Sequence, residues 1–161
     1  MKKVLIFGFM PLFMGMNNTQ ELEVCYEETT IEIKPKIIHS PVIQDNLIRA
    51  LIMVESSGND SAIGDRHLIG NEAIGALQIR PIMVREVNRI LKIQGKTNRF
   101  NLKDRFDRQQ SIRMFMVWKN FHHKDSNNEV IARNWNGGPK GYKIKRTEKY
   151  WNKIEKQLNY E

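Results

Sequence analysis

The sequence predicts a mostly α domain. Apolar residues recur at helical spacing in several segments, glycine- and asparagine-rich turns separate those segments, and proline opens two of them. No stretch of alternating apolar and polar residues long enough for a sheet protein competes with this reading.

The first helix is expected from Ser40-Pro41 to about Ser56, with a hydroxyl cap followed by proline at the first position. Val42, Ile43, Leu47, Ala50, Leu51 and Val54 supply its apolar face. Ser57-Gly58-Asn59-Asp60 then stop it with turn chemistry. Residues 58–75 carry Gly58, Gly64, Gly70 and Gly75 and read as a glycine-rich loop with little regular structure. Ala76 to Ile79 are expected to begin a helical turn, and Pro81 to open a helix through about Leu91. A polar loop over 94–103 leads to a third helix, Asp107 to Phe121, with Ile112, Phe115, Met116 and Val117 on its apolar face. Asn128 to Trp135 form a short fourth helix ended by Asn136-Gly137-Gly138-Pro139. Thr147 is expected to cap the last helix, which carries Tyr150, Trp151, Ile154 and Leu158.

The chain begins with Lys2 and Lys3, then an uncharged and mostly apolar run from Val4 to Met16. That is the pattern of an export signal, and it is short for a spanning helix, which needs about 20 apolar residues. Residues 1–16 are therefore expected to be a signal peptide or weak membrane anchor, 17–40 a polar linker and 41–161 the folded domain. The expected location is exported, periplasmic or associated with the cell envelope, with transient membrane association through the N-terminal segment.

At 161 residues, 40% hydrophobic and 27% charged, the chain has the composition of one ordinary globular domain plus a leader. One cysteine excludes an intramolecular disulfide framework and a four-thiolate metal site. His39, His67, His122 and His123 lack ligand spacing, so no metal and no cofactor is expected. The net charge of +8 points to an anionic partner. Residues 1–40 hold four basic and five acidic residues, so the whole positive excess lies in the domain. The dense basic stretch from Lys140 to Lys156 reads as a solvated helix face, with nucleic-acid binding as a disfavoured alternative.

Four features could carry chemistry. Glu55 ends an apolar helix before the glycine-rich loop. Helix C-termini and burial both disfavour the carboxylate, which raises its pKa toward the range of a general acid. An exposed, inert glutamate is an equal reading from position alone. Gly75-Ala76-Leu77-Gln78-Ile79 combines a glycine that permits close backbone approach with an amide that donates and accepts. Asn134-Trp135-Asn136-Gly137-Gly138-Pro139 sets amides beside an aromatic face. Thr147 to Ile154 includes Tyr150, whose hydroxyl could reach a buried carboxylate. Taken singly, the last three read more simply as helix ends and core.

Together, and in this order, the four resemble the lysozyme-like lytic transglycosylases of the soluble-transglycosylase and goose-type lysozyme branch. The family's Glu-Ser pair corresponds to Glu55-Ser56, and its Gly-Leu-Met-Gln-Ile to Gly75-Ala76-Leu77-Gln78-Ile79. Its Ala-Tyr-Asn-x-Gly corresponds to Asn134-Trp135-Asn136-Gly137-Gly138, and its Thr-x-x-Tyr-Val-x-x-Val to Thr147, Tyr150, Trp151 and Ile154. The departures are Ala76-Leu77 for Leu-Met and Asn134-Trp135 for Ala-Tyr. The resemblance implies a lysozyme-like domain that binds peptidoglycan glycan strands and no nucleic acid. Glu55 would be the catalytic acid and then base, with Ser56, Gln78 and Asn136 contacting substrate and Tyr150 holding the Glu55 carboxyl. It further implies cleavage between N-acetylmuramic acid and N-acetylglucosamine with closure of a 1,6-anhydro ring. The alternatives are an inverting muramidase using Asp60, Asp65 or Glu72 as second carboxylate, and a non-catalytic wall-binding component of a secretion or phage apparatus.

Overall fold

The computed structural model describes residues 45–160. The export-like leader, the linker and the Ser40-Pro41 start lie outside the described residues. What is described is mostly helical: α1 (Asn46–Ser56), α2 (Pro81–Ile93), α3 (Arg108–His122), α4 (Asn128–Gly137) and α5 (Arg146–Leu158), with a short hairpin of β1 (Ile63–Gly64) and β2 (Ala73–Ile74) between α1 and α2. Single 3-10 turns at Leu102–Phe106 and Gly141–Lys143 precede α3 and α5.

Helix α1 starts later than its hydrophobic pattern suggests, because Asp45 caps it. The Asp45 side chain accepts from the backbone N–H of Leu47 at 3.0 Å, satisfying one of the donors a helix start leaves open. Its other oxygen accepts from Lys119 Nζ at 3.0 Å, which ties the start of α1 to α3. Leu47, Ile48, Ala50, Leu51 and Ile52 are buried, and burying a leucine or isoleucine contributes roughly 1.5–3 kcal/mol each. Helix α5 packs on α1 and α4, and α2 packs on α3. Their inner faces meet in one core that includes Leu77, Val87, Met114, Phe115, Ile131 and Ile154. Phe115 and Trp118 of α3 meet Trp135 of α4 with ring centroids 5.1 Å apart in both pairs, each near edge-to-face.

Residues 58–75 hold the little regular structure expected of them: Ile63 pairs with Ile74 and Gly64 with Ala73 in a short antiparallel hairpin. Two expectations are corrected here. Ala76 to Ile79 do not begin a helix. They form a tight turn closed by a bridge between Ile74 and Ile79. Nor does Thr147 cap α5. It lies inside the first turn, and its hydroxyl donates to the carbonyls of Gly141 and Ile144, both at 2.7 Å, while accepting from Arg133 Nε at 3.0 Å.

The hairpin is pinned from below by a residue with no marked sequence pattern. Arg105, only 5% exposed, donates Nη1 to the carbonyls of Glu72 and Ile79 at 3.0 and 3.1 Å and Nε to that of Leu102 at 2.8 Å. Ser111 Oγ donates back to the Arg105 carbonyl at 3.0 Å. That same carbonyl presses on Gly75, where a Cβ would sit 1.8 Å from it. Gly75 also has φ +81°, in the region that L side chains rarely adopt. Gly75→Ala therefore meets a backbone atom that cannot swing aside. The expected loss is more than about 2 kcal/mol, read as a lower urea midpoint. An unchanged midpoint would show that the turn and Arg105 are not locked together.

Candidate functional site

A cleft of about 920 Å³ opens where α1 ends. Its lining includes Glu55, Gln78 and Asn136, so three of the expected site residues share one wall system. Tyr150 reaches the same point from α5, its hydroxyl donating to Glu55 Oε1 at 2.7 Å across 95 residues of chain. Ser56 does not line the cleft. Its hydroxyl faces the carbonyls of Ile52 at 3.1 Å and Ala76 at 2.9 Å, so it fastens the end of α1 to the turn after β2.

Glu55 is half-buried on the last turn of α1. Its pKa is raised from the ordinary 4.5 to about 7. Burial is the largest cause, and the nearby Asp65 carboxylate adds to it. The hydrogen bond from Tyr150 works in the opposite direction, because it favours the charged form. The Tyr150 phenol is in turn pushed far above its usual range, chiefly by burial and then by Glu55. Near neutral pH the pair is thus a neutral hydroxyl beside a carboxyl that exchanges its proton readily.

Gln78 stands in the left-handed region, with φ 48°, at a cost of about 1 kcal/mol or more. Its side-chain amide offsets this by donating to the carbonyls of Gly75 at 2.9 Å and Ala62 at 3.3 Å. Its carbonyl oxygen lies where a Cβ on Gly64 would intrude at 2.3 Å, so β1 approaches this amide closely only because position 64 is glycine. Asn136 is exposed at the end of α4. Its neighbour Asn134 is buried and accepts from the backbone N–H of Tyr142 at 2.9 Å, which makes Asn134 a structural amide.

The three loop carboxylates divide sharply. Asp60 accepts from Arg108 Nε at 2.8 Å, and Glu72 accepts from the backbone N–H of Gly70 at 3.1 Å; neither lines the cleft. Asp65 does, and it is ion-paired to Arg80, which also lines it.

The cleft lining also holds groups that sequence spacing did not bring together. Trp118 and His122 come from α3, His123 stands at its C-terminal cap and Glu86 comes from α2. His122 Nε2 lies 2.7 Å from Glu86 Oε1. Arg89 beside Glu86, with His122 contributing, holds that carboxyl down at about 2. The His123 ring lies tilted at 55° to that of Trp118 with centroids 4.7 Å apart, and burial, reinforced by His122, lowers its pKa. Helical periodicity places His122 one turn beyond Trp118, which is the signal that could have located this wall. Among the described residues no group of three or more His, Cys, Asp or Glu is placed to hold a metal ion.

The described fold is similar to a chain of the crystal structure of Aeromonas hydrophila PliI in complex with Meretrix lusoria lysozyme. The match covers 70% of this chain and 88% of that one, with a TM-score of 0.56 and 19% sequence identity. At this identity the likeness speaks for the fold. No family model matches, and no curated protein matches.

These comparisons correct the functional expectation. A lytic transglycosylase is not supported, and neither are the muramidase and wall-component alternatives. The similar chain belongs to an assembly whose two named components are proteins bound to each other. Peptidoglycan strands as partner are corrected on the same ground. In the site itself, the loop carboxylates offered as the muramidase's second group are engaged or distant: Asp65 is ion-paired to Arg80, and Asp60 and Glu72 do not line the cleft.

Two outcomes are expected. Because Glu55 has a higher pKa folded than unfolded, the unfolded chain loses its proton first as the pH rises from 4.5 to about 7. Stability attributable to this group therefore falls across that window, by on the order of 3 kcal/mol in all. Glu55→Gln removes that slope, so urea denaturation at about pH 5 and about pH 8 should differ less in the variant than in the wild type. Tyr150→Phe removes the interaction that lowers the Glu55 pKa, so the carboxyl should titrate above its wild-type value in a ¹³C NMR titration. A downward move would show that the hydroxyl does not face the carboxylate as described.

Proposed function

We propose that residues 45–160 form a ligand-binding module whose cleft takes an uncharged, hydroxyl- and amide-bearing chain of carbohydrate type, with protonated Glu55 donating a hydrogen bond to it. The observation that carries this reading is a half-buried carboxyl at a cleft wall, hydrogen-bonded to the Tyr150 hydroxyl, whose pKa is raised to about 7 so that it is protonated below that pH. The wall chemistry supports the ligand class. Gln78 and Asn136 offer amides, while Trp118 and Trp135 offer aromatic surface. The lysozyme-type architecture is part of this proposal, resting on the ordered motifs and the fold likeness together. So is an exported location, supported by Lys2, Lys3 and the apolar run that follows.

The test is calorimetry with N-acetylglucosamine oligomers at about pH 5.5 and about pH 8.5. Binding is expected to weaken roughly tenfold at the higher pH, as one buried hydrogen bond is lost. Glu55→Gln, which keeps a neutral donor at both values, should level the difference. Absence of binding at both values would sink the proposal.

A second reading has its own support. Ile82 on the cleft wall is 63% exposed, and Phe121 on neighbouring α3 is 40% exposed. Such side chains suit a protein surface, and the similar solved chain comes from a protein–protein complex. A lysozyme is the probe. One-to-one binding lost in Ile82→Asp, without oligosaccharide binding, would favour this reading over the first.

A further inference from the structure

Helix α5 carries its charges in two separate stripes. Arg146, Lys149, Lys153 and Lys156 follow one another at three- and four-residue steps and are exposed. Their projections fall within about a quarter of the helix circumference, spread over about 15 Å of its length. Lys145 extends the same stripe by one residue, and Lys140 and Lys143 stand exposed in the turn just before it. Glu148 and Glu155 project elsewhere, and Glu148 faces Arg133 at 3.6 Å.

This arrangement works against the helix that carries it. Arg146–Lys149, Lys145–Lys149, Lys149–Lys153 and Lys153–Lys156 are all like-charge pairs at helix-neighbour spacing, and each disfavours the helix. No acidic residue stands three or four positions from Lys149, Lys153 or Lys156. Among the described residues no ion pair holds any of the three lysines. An ordinary solvated face mixes its signs; this one concentrates a single sign and leaves it unpaired. Its first member, Arg146, also lines the cleft, so the stripe begins at the cleft wall and leads away from it.

We infer that the α5 stripe is a docking track for a linear carboxylate-bearing polysaccharide, which runs along the helix up to the cleft wall at Arg146. Charge complementarity identifies the occupant. Cations repeating every 4.5–6 Å along a line suit a polymer with an anionic group on successive units, and continuity with the cleft selects a chain over a flat surface. The inference rests on reading the cleft as a carbohydrate site.

The experiment compares the full chain with a Lys149→Gln/Lys153→Gln/Lys156→Gln variant. The probes are polygalacturonate, a neutral N-acetylglucosamine oligomer, vesicles of phosphatidylglycerol and a single-stranded DNA of matched charge. Polygalacturonate is expected to bind wild type with a salt-dependent affinity, and the variant ~10-fold or more weakly with a shallower salt dependence. Neutral-oligomer binding should be unchanged, and that probe separates failure of the track from failure of the cleft reading. Equal polygalacturonate affinity in the two proteins would overturn the inference. So would tighter binding of the vesicles or the DNA than of polygalacturonate, lost in the variant, since the stripe would then serve a membrane or a nucleic acid.

Discussion

A helix buried on most sides has to end somewhere, and in this protein α1 ends on a carboxyl. Leu47, Ile48, Ala50, Leu51 and Ile52 are covered by the surrounding elements, so the following turn is drawn into low-dielectric surroundings with them. Glu55 inherits that burial, and its proton affinity near pH 7 is the direct result. The one group that relieves it, the Tyr150 hydroxyl, arrives from the last helix of the chain. Packing of α5 on α1 thus sets both the core and the electrostatics of the cleft, and neither helix supplies the site alone.

The other wall of the cleft depends on a different device. A hairpin with strands of two residues has too few ladder bonds to hold itself. It is fixed by buried polar contacts: Arg105 gathers carbonyls from both sides of the turn, and Ser56 fastens that turn to α1. Gly75 is required because the Arg105 carbonyl occupies the space of a side chain. A buried guanidinium is costly unless its donors are used, and here its donors are used on the backbone carbonyls of Glu72, Ile79 and Leu102. An equivalent junction stands before α5, where Arg133 donates to Thr147 and Gly141 lies against the Arg133 carbonyl.

Charge is partitioned to match these two roles. In the cleft lining, Asp65 is paired with Arg80, Glu86 with His122 and with Arg89 beside it, and Glu55 takes up a proton near neutral pH, while Arg146 joins the lining from the start of α5. Outside it, Lys149, Lys153 and Lys156 of α5 lie in one exposed stripe, while Glu148 and Glu155 of the same helix project elsewhere.

The sequence by itself determined the helical class of this protein and the approximate extent of α2, α3 and α4. Those elements follow from spacing of apolar residues and from proline and glycine punctuation, which act over a few residues. Residue type and position also singled out Glu55, Gln78, Asn136 and Tyr150 as candidates. Tertiary structure alone decided what surrounds them. The start of α1 at Asp45, the hairpin inside the glycine-rich segment and the turn at 76–79 depend on contacts with Lys119, Arg105 and Ser56 that have no local signature. The facing of Tyr150 to Glu55, the withdrawal of Ser56 from the cleft and the gathering of Glu86 and His122 in its lining are equally non-local. A raised pKa is a property of burial, and burial is decided by elements distant in the chain. That is why the sequence could nominate a carboxyl while only the fold could give it a proton.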